Sequence, residues 1–328
     1  MREDDDGWQV IELCDFVCPA PPASSRLRRG LRRLGRLLVG HHDEPESGLD
    51  GRVPSHENFD RQPAVAALAR WAEHWPGTRA EVRFLLDPPF SGTADMARDW
   101  AGKRRWPCLS PPDESELAGA DVSGWWRRQG VHGPWLLDEL ARYFLRTPTG
   151  MTFLRDLLVR LLEGKLGSGL VVCNSWTYRF IHQAFALVLP HPCCLAPVTP
   201  HMLQPLGLKG AGRKLAALTA DARGNAGVAL ALWTADHADN GGRPELPTEA
   251  DDTTAFVLYA LLLHGGLEPK RLQWVLPMLG PERLAASLQR LEYCGQVVWQ
   301  GTRWQLSPAA YPAVREFLAS RDHCLDDF

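Results

Sequence analysis

The strongest constraint on this chain is an alternation of short apolar segments with amphipathic segments, which begins near Gln62. The segment EVRFLLD at residues 81–87 has the composition of a buried strand, and a turn-rich stretch and the helical pattern ADMARDWAGKRR follow it. The apolar segments GPWLLDEL and GLVVCNSW continue the series, with the helical pattern TFLRDLLVRLLEG between them. Strands separated by helices are typical of βαβ units, so the sequence predicts an α/β fold with a mainly parallel sheet.

A different pattern occupies the C-terminal quarter of the chain. Three helical patterns precede the alternating segment QVVWQGTRWQLSP, which is centred on Gly301, and the helical pattern YPAVREFLASR follows it. Three helices, a hairpin and a further helix predict a winged helix-turn-helix module. Because 328 residues are enough for two cores, we predict an N-terminal extension (1–55), an α/β domain with a helical lid (56–237), a linker (238–250) and a winged helix domain (251–328).

Composition excludes several classes of protein. Hydrophobic residues make up 45% of the chain and charged residues 23%, which is globular usage and not that of a disordered or fibrous chain. No apolar run approaches the ~20 residues of a membrane span, and the acidic start MREDDDG is the opposite of a secretory signal, so we expect a cytoplasmic protein. The eight cysteines lack Cys-x2-Cys spacing and the histidines follow no ligand pattern, so we expect reduced thiols and no metal site.

A basic segment lies within the predicted extension. Residues 26–38, RLRRGLRRLGRLL, place leucines at helical spacing and six arginines on the remaining faces. Such a helix binds an anionic membrane surface or an acidic partner, or packs its leucines on the neighbouring domain, and the sequence leaves these alternatives open. The interaction residues that this segment contributes are Arg28, Arg29, Arg32, Arg33 and Arg36.

The turn after the first buried strand has the position of a phosphate-binding loop. Residues 87–94 read Asp-Pro-Pro-Phe-Ser-Gly-Thr-Ala. They resemble the Gly-Pro-Pro-Gly-Ser-Gly-Lys-Thr loop of the AAA+ and STAND ATPases, which are P-loop NTPases, in Pro88, Pro89, Ser91 and Gly92. The four positions that do the chemistry in that family differ here, and they hold Asp87, Phe90, Thr93 and Ala94.

These four differences predict a loop that does not support ordinary ATP hydrolysis. Asp87 places a negative charge beside the phosphates, and we expect Phe90 to be unable to adopt the positive φ that glycine supplies. Thr93 and Ala94 supply neither the charge of the lysine nor the hydroxyl group that binds magnesium in the family. The chain is therefore expected to require no cofactor, and only weak binding of ATP or another nucleotide stays open.

Other segments resemble the same family in the order in which it places them. The segment WLLDE ends in Asp138 and Glu139, like a Walker B strand that would serve catalysis in an ATPase. An acidic pair at this point is more often the start of a helix, with Asp138 as its N-cap, and we favour that interpretation. Asn174 ends the strand LVVCN, where such ATPases carry a polar sensor, and Arg213 belongs to segments that resemble their lid helices. The resemblance covers roughly residues 60–235.

The net charge of the predicted winged helix domain indicates which kind of partner it binds. Residues 251–328 contain seven Lys/Arg and nine Asp/Glu, a net charge of −2, whereas DNA binding requires a positive surface. Our leading hypothesis is therefore a regulatory or scaffold protein that acts through protein partners, as winged helices do beside many AAA+ and STAND cores.

Two alternatives stay open, and so does oligomer formation. One is a DNA-binding regulator that uses Arg283 and Arg290. The other is an atypical ATPase in which a different cation replaces the missing lysine. The candidates for that cation are Lys103, Arg104, Arg105 and Arg213.

Overall fold

The main sheet of this chain is mixed and mostly parallel. The computed structural model describes residues 7–22, 59–75, 80–238 and 242–328. Within them the spatial order of the main sheet is β1-β5-β2-β4-β3, with β1 antiparallel to β5 and the other neighbours parallel. Its strands are β1 (Val10–Glu12), β2 (Val82–Asp87), β3 (Trp135–Leu137), β4 (Gly169–Asn174) and β5 (Cys193–Leu195). The predicted α/β class with a mainly parallel sheet is confirmed.

The two central strands set the position of the candidate site. Every residue of β4 is buried, as expected for a strand covered on both faces. Strand β2 runs parallel to β4 in a register that pairs Asp87 with Asn174 at the carboxyl ends. Gly169 begins β4 because a side chain at that position would collide with the indole ring of Trp135. The polar ends of two buried strands therefore lie side by side at one edge of the sheet.

Helices cover both faces of this sheet. Buried tryptophans fill the space between helices and strands, and Trp100, Trp125, Trp135 and Trp176 are fully buried. Among the described residues, no helix combines the length and the hydropathy that a transmembrane span requires. The helices are α1 (Gln62–Trp71), α2 (Thr93–Lys103), α3 (Glu114–Gly119), α4 (Val122–Gln129), α5 (Pro148–Leu162), α6 (Ser175–Phe185), α7 (Pro200–Leu203), α8 (Gly212–Asp221) and α9 (Ala226–Asp236).

Residues 251–328 form a second group of elements, the C-terminal unit. Its first helix begins at Asp251, whose carboxylate accepts a hydrogen bond from the Thr254 N–H at 2.9 Å, and stops before Gly265 and Gly266, which have positive φ. A two-stranded antiparallel hairpin turns at Gly301, as predicted. The elements are α10 (Asp252–Leu263), α11 (Pro269–Val275), α12 (Pro281–Tyr293), β6 (Val297–Gln300), β7 (Arg303–Leu306) and α13 (Tyr311–Ala319).

The structure differs from the sequence-based expectations at two places, and a third predicted feature lies outside the described residues. Strand β1 belongs to the main sheet, although its residues fall within the segment that the sequence suggested as an extension. The expectation that Asp138 is a helix N-cap is wrong, since a short 3-10 turn, Leu140–Tyr143, follows β3 and begins after Glu139 without a side-chain cap. The basic segment 26–38, with Arg28, Arg29, Arg32, Arg33 and Arg36, lies outside the described residues.

Candidate functional site

The loop of residues 87–94 connects β2 to α2 and has an unusual backbone. Phe90 has a φ of 69° and Gly92 a φ of 77°, so the expectation that Phe90 cannot adopt a positive φ is wrong. Neighbouring groups hold the strained conformation, as is usual for such residues. The amide of Asn225 donates to the Pro89 carbonyl oxygen at 2.8 Å, and the Phe90 ring packs edge-on against Tyr311 with 6.0 Å between ring centroids.

Asp87, the first residue of the loop, is linked by hydrogen bonds to other residues of the same loop. The Ser91 hydroxyl group donates to Asp87 Oδ1 at 2.5 Å, and Ser91 Oγ accepts from the Thr93 N–H at 3.1 Å. Backbone N–H groups at a helix start are the usual donors to a bound phosphate. Here Ser91 Oγ, which is bonded to Asp87, accepts from one of these donors, the Thr93 N–H at the start of α2.

Asp138, in the Walker B-like position, is held in an ion pair. Arg98 Nη1 donates to Asp138 Oδ2 at 2.5 Å, and the aspartate is only 4% exposed. The same guanidinium pairs with Asp95, which also lies 2.9 Å from Arg61 Nη1. The Oδ2 atom of Asp138 is therefore occupied by an arginine, while its Oδ1 atom is buried without a hydrogen-bond partner among the described residues.

Asn174, in the sensor-like position, attaches the C-terminal unit to the sheet. Its Oδ1 accepts from the Trp176 N–H at 2.8 Å, and its Nδ2 donates to the Leu262 carbonyl oxygen at 3.1 Å. Thr177 Oγ1 donates to the next carbonyl oxygen, that of Leu263, at 2.7 Å. Carbonyl groups at a helix end lack intrahelical partners, so these two side chains satisfy the end of α10. Both ends of the Asn174 amide are thereby used.

A cleft of about 380 Å³ separates the 87–94 loop from the end of α10 and the hairpin. Two of its acids are partly buried. Burial raises the pKa of Asp87 to about 6, although the Ser91 hydrogen bond opposes the rise. Burial also raises the pKa of Glu139 to about 7, with a further contribution from the charge of Asp87 and opposition from Arg142 and Arg303. A triphosphate entering this cleft would meet the carboxyl groups of Asp87 and Glu139 as well as two arginine side chains of the lining, Arg98 and Arg303.

The cations suggested as substitutes for the missing lysine do not reach the loop. Lys103 ends α2, about 15 Å along the helix from Thr93, and its Nζ donates to Gln62 Oε1 at 2.9 Å. Arg104 donates to the carbonyl oxygens of Ala72 and Trp75, and Arg105 does not line the cleft. Arg213 is exposed in the first turn of α8 and does not line the cleft.

The residues suggested for DNA binding lie on the C-terminal unit, away from this cleft. Arg283 Nη2 donates to Thr253 Oγ1 at 2.9 Å and lies 3.8 Å from an oxygen of Asp251. Arg290 is exposed near the end of α12. The nearby acid reduces the positive charge that Arg283 presents.

Sequence reasoning assigned neither Arg98 nor Arg303 to the phosphate site, although both line the cleft. The spacing of Asp95 and Arg98, three residues apart on one helix, was a signal that could have identified the first. Arg303 lies in the hairpin, far along the chain from the loop, and no local pattern connects the two.

Comparisons with known proteins give a structural likeness and no sequence match. No protein-family model matches the sequence, and no curated protein matches it. Among solved structures, the Walker-type ATPase PABY2304 of Pyrococcus abyssi aligns with a TM-score of 0.37 and 12% sequence identity, over 82% of this chain and 99% of that chain. A likeness at this level assigns no function to the cleft.

The raised pKa values predict how stability depends on pH. Glu139 keeps its proton to a higher pH in the folded chain than in the unfolded chain, with the pKa rising from 4.5 to about 7. The folded chain therefore binds more protons in that window, and the free energy of unfolding falls as pH rises through it. Replacing Glu139 by glutamine should raise the free energy of unfolding at about pH 8 by on the order of 1–2 kcal/mol, with little change at about pH 4.

Urea unfolding at both pH values tests this expectation. The matched control is Glu292→Gln, which changes an exposed acid on α12 and should alter neither value. An equal effect of Glu139→Gln at the two pH values would contradict the assignment of a raised pKa.

Proposed function

We propose that this chain is a P-loop-NTPase-like protein of the AAA+ and STAND type that has no working nucleotide site and serves in the cytoplasm as a regulatory or scaffold protein. The observation that carries the proposal is the closure of the 87–94 loop by Asp87, whose carboxylate accepts from the Ser91 hydroxyl group, while Ser91 Oγ accepts from the Thr93 N–H. A group that already occupies phosphate-binding donors competes with a phosphate for them.

The remaining positions of such a site support the same conclusion. Asp138 is paired with Arg98, and Asn174 is bonded to the end of α10. The bond from Asn174 to Leu262 joins the two parts of the protein, and a nucleotide-dependent switch would have to break it in each cycle. The geometry therefore favours a fixed arrangement of the α/β unit and the C-terminal unit.

We further infer that the C-terminal unit is a winged helix that docks on proteins. Its order of three helices, a hairpin and a last helix is that of the winged helix-turn-helix. Its net charge of −2 and the contacts of Arg283 with Thr253 and Asp251 do not favour a DNA phosphate backbone. All eight cysteines are unpaired, which is typical of a reducing compartment such as the cytoplasm.

Calorimetric titration of the full chain with Mg-ATP tests the absence of a nucleotide site. We expect no binding heat at millimolar ATP and no phosphate release above the rate without protein. The Asp138→Ala variant serves as the control, because loss of this acid should leave both results unchanged. Stoichiometric turnover that Asp138→Ala abolishes would disprove the proposal.

A second experiment tests the regulatory or scaffold role. The full chain, immobilised through an affinity tag, should retain the same partner proteins from cell extract with EDTA as with Mg-ATP, because the site does not respond to nucleotide. Partners that dissociate on addition of Mg-ATP but not of magnesium alone would show a nucleotide-dependent switch instead.

A further inference from the structure

The cleft between the 87–94 loop and the hairpin is lined by an acid and a base of opposite charge that do not pair with each other. Glu139 follows β3 in the α/β unit, and Arg303 begins β7 in the C-terminal unit. Within the described ranges neither side chain makes a hydrogen bond, and Glu139 has an ion pair with Arg142 at 3.9 Å. The charge of Arg303 nevertheless lowers the pKa of Glu139, so the two groups act on the same space.

Other charged residues of the lining are already engaged. Arg98 pairs with Asp95 on the same helix, and the carboxylate of Asp87 accepts from the Ser91 hydroxyl group. Of the charged groups in the described lining, the carboxyl group of Glu139 and the guanidinium group of Arg303 therefore have the most capacity for a ligand.

The position and the size of the cleft suit a small ligand. It lies at the carboxyl ends of β2 and β4, which is the edge at which open α/β sheets bind ligands. Its volume of about 380 Å³ is within the usual range of small-molecule sites. The cleft also has an apolar surface, which is formed by Pro89, Phe90, Leu261, Leu262 and Leu306.

We propose that this cleft binds a free α-amino acid with an apolar side chain. The ammonium group of the ligand pairs with Glu139, its carboxylate pairs with Arg303, and its side chain packs against the apolar surface. The inference rests on the proposed function, because it requires that no nucleotide takes the cleft. It adds the class of small molecule to which the regulatory protein responds.

The electrostatics of the cleft favour a ligand that carries both charges. Burial raises the pKa of Glu139 to about 7, and the charge of Asp87 adds to the rise, so a nearby ammonium group stabilises the ionised acid. An anion without a positive group would meet both of these acids, and a cation without a negative group would meet Arg98 and Arg303. A zwitterion places a favourable charge toward each side.

Calorimetric titration of the full chain with L-leucine and with L-phenylalanine at pH 7 tests the site. We expect saturable binding of at least one of them with a Kd below about 1 mM. Isopentylamine is leucine without its carboxylate, and 4-methylpentanoate is leucine without its ammonium group. Each should bind at least about tenfold more weakly than leucine. The proposal is wrong if neither amino acid binds, or if a truncated probe binds as tightly as leucine.

Two variants test the assigned contacts. Glu139→Gln removes the charge that faces the ammonium group, and Arg303→Met removes the charge that faces the carboxylate, so each should raise the Kd of the amino acid at least about tenfold. The matched controls are Glu292→Gln and Arg155→Met, at exposed residues of α12 and α5, and they should leave the Kd unchanged. An unchanged Kd in either cleft variant would contradict its assigned contact.

Titration with Mg-ATP separates this inference from the proposed function. A chain that binds the amino acid and not Mg-ATP agrees with both. A chain that binds neither would overturn the inference and leave the proposed function in place, whereas Mg-ATP that binds and displaces the amino acid would contradict the proposed function.

Discussion

Replacing Arg315 by methionine is expected to lower the free energy of unfolding by about 3–4 kcal/mol. Arg315 lies on α13, and its Nε donates to Asp326 Oδ1 at 3.1 Å while its Nη2 donates to the Asp326 carbonyl oxygen at 2.6 Å. The side chains of Arg315 and Asp326 are 14% and 1% exposed. Methionine keeps most of the apolar contact of the arginine stem but removes its charge, and a buried carboxylate without its partner is costly.

The effect should extend to the α/β unit, because Asp326 also accepts from Ser175 Oγ at 2.5 Å at the start of α6. Urea unfolding followed by far-UV circular dichroism measures the loss. The control is Arg213→Met, which makes the same change at an exposed arginine and should stay within about 0.5 kcal/mol of the wild type. A loss below about 1 kcal/mol in Arg315→Met would mean that the ion pair does not hold this segment.

Replacing Asn174 by alanine is expected to cost about 2–3 kcal/mol, the next largest effect. The change removes the acceptor for the Trp176 N–H and the donor to the Leu262 carbonyl oxygen, both in buried surroundings. Because the second bond joins α10 to the end of β4, hydrogen exchange should increase at both the start of α6 and the end of α10. In a nucleotide sensor, by contrast, the same change would alter turnover while the free energy of unfolding stayed close to that of the wild type.

Two further variants sharpen this test. Asn174→Asp keeps an acceptor for the Trp176 N–H but places a carboxylate beside the Leu262 carbonyl oxygen, so it should also destabilise the protein. Gln289→Ala removes an exposed amide on α12 and should have little effect. Stability of Asn174→Ala within about 0.5 kcal/mol of the wild type would show that the amide does not join the two units.

Local sequence patterns predicted those elements whose burial pattern is complete within one segment. Strands β2, β3 and β4 and the elements of the C-terminal unit fall in this class. Strands β1 and β5 have three residues each, and they were not identified because they gain their stability from pairing with each other over more than 180 positions of the chain. A segment of three residues carries too little periodicity to be distinguished from a loop.

The candidate site was predictable in part for the same reason. The composition of residues 87–94 indicated a phosphate-binding loop that lacks the lysine and the magnesium-binding hydroxyl group. The partners that give Asp138 and Asn174 their contacts, Arg98 and Leu262, are 40 and 88 positions away, so only the folded chain brings them together. The positive φ of Phe90 likewise depends on a neighbour, Asn225, that lies far along the chain.

The contacts between the 87–94 loop and the start of α9 also limit which amino-acid substitutions are compatible with the fold. The Phe90 carbonyl oxygen lies so close to Gly227 that even a methyl group has no room there, and Asn225 holds the preceding carbonyl. Substituting Asp87 by glycine would leave that packing in place and would still provide neither a lysine nor a magnesium-binding hydroxyl group. A gain of the lysine and of the hydroxyl group would therefore need at least two substitutions within the loop, on a backbone whose path Asn225 and Gly227 already restrict.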